Sequence, residues 1–151
     1  MRHPLGLPPF CNSYYDGRLR YDLDEELIFV FGSNEKGIHG AGAARDAVMH
    51  YGAHYGNPSG MQGQSYAIPT KDKHIRTLPL TDIALYVEEF RAHALETTEH
   101  YFFITAVGCG LAGYRAHNIA PMFRGLHHCW FPNDWKPYLE SSPLHQQKLT
   151  T

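Results

Sequence analysis

The sequence predicts an α/β layered domain built on a mostly parallel or mixed sheet. Three observations carry this. Two apolar runs, LIFVF at 27–31 and YFFITAV at 101–107, have the composition of strands buried on both faces. Each runs into a glycine-rich turn, and the longest helical pattern, at 81–97, lies between them. Strands that alternate with helices pair mainly in parallel, because a crossover brings the next strand back in the same direction.

In chain order, residues 1–12 carry Pro4, Pro8 and Pro9 and read as an extended arm. In SYYDGRLRYDL, Asp16-Gly17 stands between Tyr14-Tyr15 and the alternating Leu19 and Tyr21, the pattern of a short hairpin. Asp22 to Glu26 form an acidic connector into the 27–31 strand, which stops at Gly32-Ser33-Asn34. A helix restarts at Gly40-Ala41-Gly42-Ala43-Ala44 and runs to about Tyr51. Residues 52–64, with four glycines and a proline, read as a surface loop. Ser65–Ile68 is a second strand, ended by Pro69-Thr70-Lys71-Asp72, and His74–Pro79 is an extended link. Thr81 reads as the N-cap of the long helix, with Asp82 in its first turn. Ile83, Val87, Phe90 and Ala94 form its apolar face. Asn118 reads as the cap of a short helix through Phe123, and Cys129-Trp130-Phe131 as a last strand. The expected organisation is one domain over 1–151: arm and hairpin at 1–26, core at 27–131, and a C-terminal tail at 132–151, polar after Leu139.

Composition narrows the function. At 151 residues the chain is long enough to bury roughly 70% of its unfolded surface. A net charge of −2 offers no basic footprint for a long nucleic acid, whereas a small nucleotide needs only a few local donors. Cys11, Cys109 and Cys129 are an odd set without metal-ligand spacing, which predicts reduced thiols in the cytoplasm. No apolar stretch reaches membrane length, and MRHPLGLPPF lacks a signal-peptide core. His50 with His54, and His127-His128-Cys129, lack the fuller ligand set of a zinc site, so no metal and no cofactor is expected.

The chemistry points to the two glycine clusters. Gly32-Ser33-Asn34 with Gly40-Ala41-Gly42-Ala43 follows one buried strand, and Gly108-Cys109-Gly110-Leu111-Ala112-Gly113-Tyr114 follows another. Glycine admits close backbone approach, and the unpaired N–H groups of a helix's first turn attract phosphate. If the two strands are neighbours, both loops open on one sheet edge, where ligands of open α/β sheets bind. Tight packing by small residues is the competing explanation.

With both clusters placed, the chain resembles a macro domain, the fold that binds ADP-ribose. The likeness spans about 27–125. More narrowly, SNEKGIHGAGAA, GQSYAIPTKD and VGCGLAGY are similar to a group of small phage proteins with this fold. The resemblance implies a three-layer α/β/α arrangement in which Asn34 and Tyr114 flank the distal ribose and the two loops hold a diphosphate. It implies a small nucleotide ligand, ADP-ribose-derived or cyclic, and in a phage setting the sequestering of a host immune signal. The chain departs from the family where Ala41 interrupts the glycine run. It also lacks a secure counterpart for the acidic residue that reads adenine, Asp22 and Asp24 being the candidates.

The alternative is an ADP-ribosyl hydrolase of the same fold, with Asn34, His39, Lys71 and Asp72 as candidate catalytic residues. Cys109, at a strand-to-helix turn, is a weaker candidate nucleophile. The tyrosines (Tyr14, Tyr15, Tyr21, Tyr51, Tyr55, Tyr66) offer a stacking face for a base, or else fill a core or an interface with a second copy of the chain. A third reading is an interaction domain whose glycine loops are vestigial and whose aromatic hairpin contacts a partner. A sequestering protein would use a lid, for which 52–64 or the N-terminal arm of a second copy is the expected segment.

Overall fold

The computed structural model describes residues 12–16 and 27–140. The expected arm, the return strand of the hairpin, Cys11, the acidic connector with Asp22 and Asp24, and the chain beyond 140 lie outside those residues. The elements are β1 (Ser13–Tyr15), β2 (Leu27–Asn34), α1 (Gly42–His50), β3 (Gly60–Gln62), β4 (Ser65–Lys71), α2 (Leu80–Glu96), β5 (Tyr101–Ile104), α3 (Ala116–Ile119), β6 (Cys129–Pro132) and α4 (Lys136–Leu139). Single 3-10 turns occupy Ala120–Phe123 and Asn133–Trp135. No helix among the described residues is long and apolar enough to cross a membrane.

The six strands form one sheet in the order β1-β6-β5-β2-β4-β3. Among the described strands only the β3–β4 pair is antiparallel. The period-two alternation of β2 divides the core between the two faces. Leu27, Phe29 and Phe31 face α1 and pack with Ala44, Ala47 and Tyr51. Ile28 and Val30 face the other way, against Ile83, Val87 and Phe90 of α2 and against Ile119, Phe123 and Trp135. The small side chains of α1 leave room for an aromatic layer, in which Phe29 stacks on Tyr51 at 4.4 Å and Tyr15 on Phe103 at 4.3 Å. The apolar face expected of α2 is the buried one.

The connections place the candidate site. From β2 the chain passes through α1 to β4 on one side. It then crosses back through α2 to β5 on the other side of β2. Right-handed crossovers in opposite directions put α1 and α2 on opposite faces. A crevice therefore opens between the carboxyl ends of β2 and β5, where the strand order reverses.

Several boundaries differ from the sequence expectation, each because a neighbour overrides local preference. β2 continues through Gly32-Ser33-Asn34 because β4 runs beside it, with a register irregularity between Ser33 and Asn34. β4 extends through Pro69 to Lys71, whereas β3 pairs only with Ser65–Ala67. At Pro69 one side of β4 is thus free, and a proline can turn its missing N–H there. Residues 60–62, expected in a loop, are the edge strand β3, and Gln62 is buried. Pro79 rather than Thr81 stands at the N-cap of α2, its carbonyl accepting from the amides of Asp82 and Ile83. β5 ends at Ile104, short of the expected Val107: the Thr105 amide makes the last ladder bond to the Val30 carbonyl at 3.0 Å, and the Thr105 hydroxyl donates to the same oxygen at 2.8 Å. Asn118 is the third residue of α3 and accepts from the Arg115 amide. The packed chain also runs past 131: Trp135 is fully buried against Phe123 and Phe131.

Candidate functional site

Both glycine-rich segments line one cavity of about 990 Å³ at the carboxyl ends of β2 and β5. Their closeness follows from the register: Val30 stands opposite Ile104, the last residue of β5, so the chain that leaves β5 starts beside the final residues of β2. A methyl group built on Gly32 would lie 3.7 Å from the Gly108 nitrogen. Gly108 itself has φ +75°, and a Cβ there would lie 3.1 Å from Ile119, so the turn requires glycine at this point.

The backbone donors are the site's main chemical asset. Gly42, Ala43 and Ala44 open α1, and their amides precede the first helical acceptor. The N-cap, Ala41, is extended and provides no side-chain bond to them. In the second segment, Cys109 N–H bonds Ala106 O, Gly113 N–H bonds Gly110 O, and Tyr114 N–H bonds Gly108 O. These turns consume the amides of 109, 113 and 114. Among the described residues, those of Gly110, Leu111 and Ala112 have no acceptor. Two separate runs of free N–H groups thus border one space, and the positive end of the α1 dipole adds to the first.

Two opposite charges stand at the cavity wall. Among the described residues, Lys71, at the end of β4, is the only basic one lining it, and Asp134 the only acidic one. No ion pair joins Lys71 to any described residue. Asp134 lies near Tyr15 and Cys109, and its negative charge adds to burial in raising the ionisation points of both. The Cys109 thiol is pushed up to about 11, first by burial and then by Asp134, so it is not the activated thiolate that a nucleophile needs. Tyr15 is committed as well, its hydroxyl donating to Ile104 O at 2.6 Å.

Of the residues picked out by sequence, Gly32, Ser33, Asn34, Gly40, Ala41, Gly42, Ala43, Lys71, Gly108, Cys109, Gly110, Leu111 and Ala112 all line this cavity. Asn34 is also structural: its Nδ2 donates to Ile38 O at 2.7 Å and its Oδ1 accepts from Ile38 N–H at 3.0 Å. An amide side chain has four hydrogen-bonding positions, so one N–H and one lone pair stay free.

Four candidates are off the cavity wall. His39 is buried edge-on against Phe31, and its Nε2–H donates to Asn57 O at 2.9 Å. Asp72 turns outward and accepts from the amides of His74 and Arg76, and these bonds hold its carboxyl below the usual value. Gly113 lies in the turn beyond the free amides. Tyr114 points into the α2 side of the core, with its hydroxyl on Leu78 O at 2.7 Å. The expected lid at 52–64 is a buttress instead. Gly56 N–H bonds Gly37 O and Ser33 Oγ donates to Pro58 O, so this segment braces the first loop from outside the cavity.

Sequence reasoning missed Thr70, Ile75 and Asp134 on the wall, and named Tyr15 only among six tyrosines that could stack on a base. Tyr15 and Asp134 come from segments assigned to a hairpin and a tail. Only the pairing of β1 with β6 brings them beside β5. Among the described residues there is no cluster of three histidine, cysteine or acidic side chains that could hold a metal ion. No protein-family model matches this chain, and no curated protein matches it.

Proposed function

We propose that this cavity binds a small nucleotide whose phosphates lie between the start of α1 and residues 110–112. One observation carries the reading: two runs of unpaired backbone amides, distant in sequence, border the same crevice. Phosphate oxygens need several donors at once, and backbone N–H groups at glycine-rich turns supply them without a metal. The volume suits a nucleotide, being at the upper end of small-molecule sites. The resemblance to macro domains makes the ligand class ADP-ribose-derived or cyclic. In this proposal the protein is a phage protein that sequesters a host signalling nucleotide in the cytoplasm.

Capture is favoured over hydrolysis because two of the four candidate catalytic groups, His39 and Asp72, are engaged away from the cavity, which leaves Lys71 and the half-committed Asn34 on its wall. The test is incubation with ADP-ribose and, separately, with cyclic ADP-ribose, then gel filtration, heat release and mass spectrometry. Intact ligand released from the protein peak is the expected result. A cleaved product would establish hydrolysis in its place, and absence of both nucleotides from the protein peak would overturn the reading.

A further inference from the structure

Residues 70–78 form a tight strap at one end of the cavity. Lys71 bridges Thr77 in antiparallel fashion, Leu78 N–H bonds Thr70 O, and Asp72 N–H bonds Arg76 O. Ile75 N–H bonds Asp72 O, closing a turn whose last residue is left-handed, at φ +62°. That position in a short hairpin ordinarily takes glycine or asparagine, and a β-branched residue there is strained. Asp72 holds the strain in place: its carboxylate accepts from the His74 and Arg76 amides and pairs with Arg76 at 3.4 Å. Ile75 is 43% exposed and lines the cavity.

A second exposed apolar side chain lines the same cavity from the glycine loop. Leu111 is 75% exposed, and its neighbour Ala112 is bound to the strap by the Thr77 hydroxyl, at 2.9 Å. The Tyr114 hydroxyl on Leu78 O makes a second stitch between the two segments. Two solvent-facing aliphatic groups are therefore held on linked supports, beside the free amides of 110–112.

Resting on the nucleotide reading above, we infer that Ile75 and Leu111 are the two jaws of an apolar clamp. The clamp takes the flat nucleoside part of the ligand while the amides take its phosphates. Backbone strain kept at an exposed aliphatic residue has a use when a ligand covers that residue. The occupant has to be both anionic and flat-faced, which selects a nucleotide over a sugar phosphate or inorganic phosphate.

The test measures calorimetric affinities of the full chain and of Ile75→Gly and Leu111→Ser for ADP-ribose and for inorganic pyrophosphate. Glycine relieves the strain at 75, so a lower melting temperature would not account for a loss of binding by that variant. The expected result is a roughly tenfold loss of ADP-ribose affinity in each variant, with a much smaller change for pyrophosphate. Native ADP-ribose affinity in both variants would overturn the clamp and leave the nucleotide reading intact. Equal losses for both ligands would also overturn it, by placing the effect in the phosphate loop. If the unmodified protein binds neither ligand, the nucleotide reading itself falls.

Discussion

At Asn34, one side chain serves both the fold and the proposed ligand. Its amide closes the 34–38 turn through a donor and an acceptor to Ile38, and it is 8% exposed while lining the cavity. Asn34→Ala removes both bonds and leaves the Ile38 amide without its partner. The expected cost is about 1–3 kcal/mol, read as a lower denaturation midpoint with an unchanged slope. Asn34→Asp keeps the acceptor and is expected to lose less. Cys109 makes a second residue-scale case. With its thiol raised to about 11, it should alkylate with iodoacetamide far more slowly at pH 7.5 than an unfolded cysteine, accelerating as pH approaches that value. Peptide mapping by mass spectrometry measures this; rapid labelling of Cys109 at pH 7.5 would contradict it. The glycines were legible in the sequence because glycine's conformational role is its own. His39 and Tyr114 were not, because their partners Asn57 and Leu78 are set by packing.

Among the elements, β2 and α2 were legible as types and β3 was not. A run of five apolar residues and a sustained helical period are local signals, whereas Gly60–Gln62 is a strand only because β4 lies beside it. The segment after β6 shows the same dependence. The sequence reads it as tail, yet one 3-10 turn drives Trp135 into the α2 side of the core. Trp135→Ala should therefore cost about 3–5 kcal/mol, and Trp135→Phe less, by chemical denaturation. A change within about 0.5 kcal/mol for the alanine variant would mean that residues 133–139 do not belong to the cooperative unit. The turn matters to the site as well, since it carries Asp134 to the cavity wall.

For the molecule as a whole, the reversal of strand order between β2 and β5 joins fold to proposed function. A ligand held between the two loops binds only the folded chain, so it should stabilise that chain by mass action. At a free ADP-ribose concentration 100 times the dissociation constant, the gain is about 2.7 kcal/mol, a shift of several degrees in a thermal melt. An unchanged melting temperature up to millimolar ADP-ribose would count against the proposed ligand.

By itself the sequence determined which segments become the central strands and the long helix, and that two strands run out into glycine. Those properties are local: an apolar run, a helical period and a residue without a side chain act within a few positions of themselves. Only the tertiary structure decided that the two glycine segments share one cavity, and that Tyr15, Ile75 and Asp134 complete its wall. Adjacency in a sheet depends on strand order and register, here Val30 opposite Ile104 and Tyr15 opposite Pro132. Those pairings are settled by burying the two faces of the sheet together, which no single stretch of the chain encodes.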